Sequence, residues 1–447
     1  MLTVEQAEAR AAALVEAARK AGADAADVIY SGDASTQIQV RLGALEDVSR
    51  SEGEEIGLRF FVGSRSATVA SSDLSDEAMQ ALVERAAAMA REAPEDSYAG
   101  LAPEDRLLRG PGVDVDGDDG ADPSPIELKR LALAIEDAAR GVEGVTNSEG
   151  AGASAGRSVV ALATSHGFCR GYATTGYGGM ASVIAGIGAG MQRDYAYHNV
   201  RHFADLEAPD SIGRRAGERA VRRLNPARLL SGRMTVLFDP RVGSSFVGHL
   251  TGAITGSAIA RKTSFLIGTE GEAIFGPGIT IRDDPHRRRG LASKPFDGEG
   301  LPTRPSDIVA NGVLTGWLLD SASARQLGRE PTGHATRGSG APGAGATNVH
   351  MEPGPLSPAE LMADVKQGLY VTELIGQGVN PVTGDYSRGA SGFMIENGEI
   401  GAAVAEITIA GNLLDMFREL APANDLEHRR AVNVPTLRVE GMMIAGA

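Results

Sequence analysis

A lone histidine lies in a run of small residues at positions 248–265, GHLTGAITGSAIARKTSF, where two kinds of chemistry are worth testing. Metallopeptidases place chelating histidines on a helix of this kind, and His249 would be such a ligand. The stretch also comes within one residue of a phosphate-binding loop, because Lys262 and Thr263 follow Gly256 at the right distance. That loop needs glycine directly before the lysine, and Arg261 stands there. We therefore exclude the phosphate loop and keep a metal-binding helix and a tightly packed helix as alternatives.

A second candidate metal site is HNVRH, in which His198 and His202 are four residues apart. On a helix both side chains would share one face and could hold one zinc ion. The preceding residues alternate, with Tyr195 and Tyr197 on one side, which predicts a strand. Residues four apart on a strand are separated by ~13 Å and cannot grip one ion. Asn199 also stands where a zinc peptidase has its glutamate base, so we predict two polar strand residues.

Three further motif matches lack the context that their chemistry needs. GSGAPG at 338–343 contains Pro342 and leads into a segment that cannot open a helix, as a dinucleotide site requires. GASAG at 152–156 continues into a strand-like run, whereas a nucleophile elbow feeds a helix. In the acidic loop DVDGDDG, Asp119 occupies the position at which a calcium loop has glycine. We interpret all three as coincidences.

Two other features have ordinary structural interpretations. Cys169 lies in an apolar stretch, LATSHGFCRGYA, and is predicted to be a small core residue rather than a reactive thiol. A helix after Ser211 carries five arginines, which we predict to form a solvated face. These arginines are Arg214, Arg215, Arg219, Arg222 and Arg223.

Composition narrows the functional classes. The chain has 447 residues and a net charge of −15, so it repels phosphate backbones and we expect no nucleic-acid partner. A single cysteine fits a reducing, cytoplasmic location. The first residues show no secretory signal pattern, and the longest apolar run, ASVIAGIGAGM, is shorter than the ~20 residues that cross a bilayer. We predict a soluble cytoplasmic protein without membrane contact.

The elements that would position these residues predict an α+β protein of two domains. Capping signals start helices at Thr3, Ser124 and Ser357, and a further helix follows Ser75. Strand-like runs include DVIYSGD, STQIQVRLG, EIGLRFFVG and SATVASS, with turns between them. We predict a mixed helix and sheet N-terminal domain at residues 1–226, with a surface loop at 93–124, and a β-rich C-terminal domain at 227–447.

Several long runs resemble the TldE, or PmbA, side of the TldD/TldE metallopeptidase family. They are RKTSFL, DDPHRRRGLASKPFDGEGLPTRPSDIVANGVLTGWLLDSASARQLG, VTELIGQGVNPVTGDYSRGASGFMIENGEI and EITIAGNLLDM. The resemblance covers essentially the whole chain and is densest from Thr235 to Met416. It implies a cytoplasmic zinc metallopeptidase made of two sister subunits, which admits unfolded or short peptides and trims leader peptides. An old label connects the family with DNA gyrase.

The resemblance also assigns a role to the first stretch. In the family the TldD subunit holds zinc with an HExxxH helix and a later cysteine, and Gly248, His249 and Leu250 stand in the corresponding region. The second histidine, the glutamate and the later cysteine are missing. We therefore expect no metal in this chain, with zinc only in the sister subunit. We also expect a packing helix that uses its small residues, Gly248, Gly252, Ala253, Gly256 and Ala260.

The segment TGDYSRGASGFMIENGEI is the candidate peptide-binding site. Tyr386, Arg388 and Ser391 lie among glycines that let a substrate backbone come close. A strand edge there would pair with an extended peptide. The alternative is an ordinary turn with a solvent-facing arginine, and the residues alone do not decide between them.

Two functions follow from the resemblance. The first is a non-catalytic, peptide-binding subunit that forms a heterodimer with a TldD-like sister and takes part in proteolysis and peptide maturation. The second is an independent homodimeric peptide-binding protein without protease activity. The presence of a TldD-like gene in the same genome would separate them.

Overall fold

The computed structural model describes residues 1–446. Its helices, in chain order, are α1 (Val4–Lys20), α2 (Asp76–Glu92), α3 (Pro125–Arg140), α4 (Pro209–Arg222), α5 (Pro240–Ala253), α6 (Gly256–Ala260), α7 (Ser321–Leu327), α8 (Pro358–Met362) and α9 (Leu413–Arg418). No helix in this described range is long and apolar enough to cross a membrane.

The strands fall into two groups along the chain. The first group is β1 (Ala25–Arg41), β2 (Ala44–Val62), β3 (Arg65–Ser71), β4 (Val145–Thr164), β5 (Cys169–Ala185) and β6 (Gln192–Val200). The second group is β7 (Gly232–Phe238), β8 (Ile281–Asp283), β9 (Ser306–Ala310), β10 (Val313–Leu314), β11 (Ala335–Thr336), β12 (Gly343–Ala344), β13 (Val349–Met351), β14 (Gln367–Ile375), β15 (Asp385–Glu396), β16 (Glu399–Asn412), β17 (Leu420–Pro422), β18 (Val432–Asn433) and β19 (Leu437–Ala445). The predicted α+β class is confirmed.

The first group forms one antiparallel sheet in the order β3-β2-β1-β4-β5-β6. Val28, Tyr30 and Ile38 share one face of β1 because they are separated by even numbers of residues. Val28 and Tyr30 pack with the buried side chains of α1 and α2, and Ile38 packs with those of α3 and α4. The four helices therefore cover one face of the sheet. On the opposite face, Ile29 packs with Phe296 from the second half of the chain.

The second group closes into a small barrel. Strands β16, β15, β14, β7 and β19 are neighbours in that order, and β19 pairs again with β16. A separate sheet has the order β10-β9-β8-β13-β18, and β11 pairs with β12. α5 packs Phe246 and Leu250 into the same core as the barrel strands. α5, which carries His249, therefore packs against the barrel strand β14 and against β13 and β18 of the separate sheet.

The turn between β11 and β12 joins the two halves. The side chain of Arg337 at its start is fully buried, and its Nη1 lies 2.7 Å from Oδ1 of Asp27 in β1. At the tip, the carbonyl of Ser339 lies so close to Gly57 of β2 that a Cβ there would collide with it. The GSGAPG motif is thus a structural contact, consistent with its exclusion as a dinucleotide site. The boundary at residue 226, between domains 1–226 and 227–447, stays a proposal.

Two local predictions are wrong. DVIYSGD and STQIQVRLG are not separate strands but parts of β1, since the chain from 25 to 41 is paired with β2 throughout and with β4 over most of its length.

Cys169 is exposed rather than a core residue, because it begins β5 at the rim of the sheet. Its Sγ lies 3.6 Å from the carbonyl oxygen of Glu8. Partial burial and the nearby Glu8 raise the pKa of the thiol, which disfavours the reactive thiolate.

Candidate functional site

The candidate site is built on α5, whose start is fixed locally. Asp239 caps the helix by accepting a hydrogen bond from the backbone N–H of Arg241 at 2.9 Å, and Pro240 takes the first helical position. Of the three residues predicted to correspond to the zinc helix, Leu250 is fully buried, His249 is half-buried and Gly248 is exposed. The helix therefore turns His249 to the boundary between core and solvent.

His249 faces two of the three predicted peptide-binding residues. Its ring is edge-on to the ring of Tyr386, with centroids 6.3 Å apart, and Tyr386 stacks on Phe246 at 5.7 Å. Arg388 follows Tyr386 by two residues on β15 and so lies on the same face of the strand. We call His249, Tyr386 and Arg388 the His249 cluster. Ser391 is buried but lies at an odd position on β15, opposite Glu373, so it is outside the cluster.

Each member of the His249 cluster has a buried polar atom without a hydrogen-bond partner in the described residues. These atoms are Nε2 of His249, the hydroxyl of Tyr386 and Nε of Arg388. The Tyr386 hydroxyl lies near the Arg388 guanidinium but makes no well-aligned hydrogen bond with it. Tyr386 is only 1% exposed. A buried polar group that lacks a partner costs ~1–3 kcal/mol, so three together are unusual in a site with no ligand to bind.

The charges of the His249 cluster follow from burial and from Arg388. Burial first, and then the nearby Arg388 guanidinium, lowers the pKa of His249. Burial raises the pKa of Tyr386 to about 12, and Arg388 opposes this rise. At neutral pH the cluster is therefore a neutral imidazole, a neutral phenol and a cation. It can donate and accept hydrogen bonds but supplies no carboxylate base.

The donor set does not suit zinc. Structural and catalytic zinc sites need three or four histidine, thiolate or carboxylate ligands, and here a single imidazole faces a phenol and a guanidinium. Within residues 1–446 no three histidine, cysteine or acidic side chains are grouped so that they could hold a metal ion. The second candidate pair, His198 and His202, does not share a metal site either. Nδ1 of His198 accepts a hydrogen bond from the backbone N–H of Glu207, and Nε2 of His202 is hydrogen-bonded to the carbonyl of Asp116. His198 lies in β6 as predicted, whereas His202 follows its end.

Two other predictions about the site are corrected. β15 is not a free strand edge, because it pairs with β14 on one side and β16 on the other, so a peptide cannot add to it by main-chain pairing. The packing role of α5 and α6 holds only in part. A Cβ at Gly256 would collide with Ser323, but Gly248 and Gly252 face open space. These two glycines lie on the exposed side of α5 and make no close helix contact.

Comparisons with known proteins match most of this chain to one protein family. Residues 231–446 match the PmbA/TldA metallopeptidase C-terminal domain, residues 118–224 the central domain and residues 26–90 domain 1. The chain is 38% identical to Metalloprotease PmbA of Escherichia coli O157:H7, over 100% of this chain and 99% of that protein. The chain belongs to the PmbA/TldD family.

Other family relatives agree in length and fold. The Haemophilus influenzae homologue of Metalloprotease PmbA is 37% identical over 97% of this chain and 94% of its own. The crystal structure of a candidate DNA gyrase modulator from Bacteroides thetaiotaomicron covers 100% of both chains, with a TM-score of 0.91 and 27% identity. TldE from Thermococcus kodakarensis, at 22% identity, shares the fold over 97% of this chain and 99% of its own, with a TM-score of 0.87.

The predicted solvated face of five arginines on α4 and at its end is wrong for three of them. Arg223 is buried and pairs with Asp194 and Glu373, Arg215 pairs with Glu207, and Arg219 lines a cavity. Only Arg214 and Arg222 are exposed as predicted. The signal that could have found the others is helical spacing, since Arg215, Arg219 and Arg223 recur every four residues and so share one face.

Substituting Gly248 with alanine tests whether this position is open. An exposed helical glycine costs ~0.5–1 kcal/mol relative to alanine, so we expect Gly248→Ala to raise the free energy of unfolding by about that amount. As a matched control, Gly213→Ala on α4 should destabilise, because its Cβ would collide with the carbonyl of Ile135 on α3. Urea unfolding of both variants gives the comparison. A loss of stability in Gly248→Ala would restore the close-packing interpretation.

Proposed function

We propose that this chain is the non-catalytic, peptide-binding subunit of a TldD/TldE-type zinc metallopeptidase, and that it works beside a TldD-like sister in the cytoplasm. The observation that carries the proposal is the His249 cluster. It places three unpartnered polar atoms beside the helix that resembles the sister subunit's zinc helix, yet it offers one imidazole where zinc needs three or four ligands. Such a site is suited to binding rather than to activating water.

A peptide is the ligand that fits the groups present. A peptide backbone offers carbonyl acceptors and N–H donors in alternation, which match the guanidinium, the phenol and the neutral imidazole. The open space at Gly248 and Gly252 leaves room for a backbone to approach α5 closely. Because these contacts involve the main chain of the ligand, they tolerate many sequences. Unfolded or short peptides are therefore the proposed substrates.

In the proposed complex, the sister subunit binds the zinc ion. A catalytic zinc lowers the pKa of a bound water molecule and polarises a carbonyl, and both tasks need convergent ligands that the His249 cluster does not supply. The relatives carry the name metalloprotease, and in this proposal their activity belongs to the assembled enzyme. The contribution of this chain is to hold peptide in the shared chamber.

Arg388→Ala tests the proposal. Loss of a charge-assisted hydrogen bond to the peptide should weaken binding by ~1.5–3 kcal/mol, which is about 10- to 150-fold. In the assembled enzyme KM should rise while kcat stays constant, because a uniform binding contact is lost. Arg418→Ala is the matched control, since its side chain is 55% exposed at the end of α9. If Arg388→Ala melts the protein and leaves KM unchanged in the folded fraction, Arg388 is structural and the proposal fails.

A further inference from the structure

A cavity of about 330 Å³ lies between the two halves of the chain, at the N-terminal end of α5. Tyr195 and Tyr197 of β6 and Arg219 of α4 line it from one half, and Arg241 and Arg430 line it from the other. We call it the arginine cavity. Arg241 and His249 are eight residues apart on α5, or ~12 Å along its axis, so this cavity is distinct from the His249 cluster.

The carboxylates in the cavity wall already have hydrogen-bond donors. Asp239 accepts from the backbone N–H of Arg241 at 2.9 Å. Asp425 accepts from the N–H and the hydroxyl of Thr436, both at 2.8 Å, and Glu427 accepts from Arg429. These acceptors are therefore engaged by the protein itself.

The N–H donors of two arginines in the cavity wall outnumber the acceptors that they contact. In the described part of the chain neither Arg219 nor Arg430 has a carboxylate within 4 Å, although each guanidinium offers five N–H donors. Arg219 donates once, to the carbonyl of Tyr195 at 3.2 Å, and Arg430 donates to the carbonyl of Pro240 at 3.5 Å. Nε of Arg430 is buried without a partner. Both guanidinium groups therefore have unused N–H donors and no carboxylate in direct contact, although Asp239 and Asp194 lie near Arg219.

Arg241 shows that the cavity is rigidly built. Its side chain is 6% exposed, and both terminal nitrogens bind Asp194, at 2.7 and 3.1 Å. Its Nε has no hydrogen-bond partner. The guanidinium of Arg241 lies 5.8 Å from the ring centre of Tyr195, and that of Arg430 lies 5.4 Å from the ring centre of Tyr197. Cation–π contacts of this kind hold the arginines in place without using their N–H donors.

We propose that the arginine cavity binds a carboxylate group of a peptide ligand, with Arg219 and Arg430 as the donors. A carboxylate has two acceptor oxygens and one negative charge, which match the unused N–H donors of two guanidinium groups that have no carboxylate in direct contact. A trough of about 460 Å³ on the helix-free face of the first sheet shares Tyr195 with the cavity. Besides small residues it is lined by Gln37, Gln39, Met180, Arg193 and Glu149. An extended chain in this trough would reach the cavity at Tyr195.

That the cavity binds a carboxylate is inferred from its lining residues alone. That a peptide carries this carboxylate rests on the proposed function. Three labelled ten-residue peptides separate the sources: one with a free C-terminal carboxylate, one with a C-terminal amide, and one with an amide and an internal glutamate. Binding to the full chain is measured by fluorescence anisotropy. We expect at least one carboxylate-bearing peptide to bind roughly tenfold more tightly than the neutral amide. Arg219→Met and Arg430→Met should each remove that difference.

Arg214→Met is the matched control, because it removes one charge from α4 at a position that is 62% exposed, and it should keep the preference. Equal binding of all three peptides by the wild-type chain would overturn the proposal, as would a preference that survives both Arg219→Met and Arg430→Met. If Arg219→Met does not fold, Arg430→Met decides alone. A carboxylate preference that persists in Arg388→Ala would support this site independently of the His249 cluster.

If no peptide binds, the proposed function fails but the cavity can still be tested with succinate as the probe. Succinate should then raise the melting temperature of the wild-type chain and not that of Arg219→Met or Arg430→Met. No shift in the wild-type chain would overturn the carboxylate site as well.

Discussion

Asp27→Asn is expected to lower the free energy of unfolding by about 3–5 kcal/mol, because it leaves two buried guanidinium groups without their counter-ion. The carboxylate of Asp27 binds Nε of Arg59 at 3.0 Å and lies 2.7 Å from Nη1 of Arg337. The second contact is ionic rather than a well-aligned hydrogen bond. The side chains of Asp27, Arg59 and Arg337 are 2%, 9% and 0% exposed, so water cannot replace the lost charge. Urea unfolding measures the loss.

The pH dependence gives an independent check on Asp27. Burial alone would raise the pKa of Asp27, but Arg337 and Arg59 hold it below its ordinary value of 3.8. A lowered carboxyl pKa contributes stability that is present above about pH 4 and is lost as the pH falls through the folded-state pKa. The gap between wild type and Asp27→Asn should therefore be constant at neutral pH and shrink in acid. Asp76 pairs with Arg10 at the surface, and the side chain of Asp76 is 95% exposed. Asp76→Asn should therefore leave the free energy of unfolding almost unchanged. A similar loss in both variants would contradict this account.

Asp194→Asn is expected to cost about 3 kcal/mol or more, and also to loosen the arginine cavity. Asp194 is 2% exposed and binds Arg241 through both carboxylate oxygens, with Arg223 a further 3.5 Å contact. This link ties β6 of the first sheet to the start of α5. Removing the charge leaves Arg241, which is 6% exposed, facing a neutral amide. Urea unfolding again measures the loss.

Asp307→Asn is the control for Asp194, because its pair with Arg282 is at the surface, with side chains 34% and 44% exposed. Its effect on stability should be far smaller. A double substitution of Asp194 and Arg241 should recover part of the loss, since both buried charges are then removed. If the double variant is as unstable as the sum of the single ones, the two residues do not act as a pair.

The parts of the fold that could be predicted have local physical causes. Thr3, Ser124 and Ser357 cap helices through side-chain hydrogen bonds to nearby backbone, and all three capping boxes are present. Gly32 and Asp33 favour a turn, so local preference predicts two strands between residues 25 and 41. Pairing with β2 and β4 on both sides overrides that local preference.

The site could be predicted only in part. The glycine-rich segment points to Tyr386 and Arg388, but not to their contact with His249. That contact depends on β14, which pairs with β7 on one side and β15 on the other and so brings Tyr386 to a residue 137 positions away. Ser391 was wrongly grouped with them, because the alternation of a strand sends it to the other face. Arg219, Arg241 and Arg430 come from three distant segments, and no spacing in the sequence connects them.

The most direct test of the central claim is to mix this chain with the proposed TldD-like sister and to measure mass, zinc and peptidase activity on the same samples. We predict that the chain alone holds far less than one zinc per molecule and cleaves no peptide. The mixture should form a stable hetero-oligomer, with an interface above ~2,000 Å², that contains zinc and cleaves unfolded peptides. A chain that alone binds one zinc, loses it in His249→Ala and cleaves peptide would contradict the account.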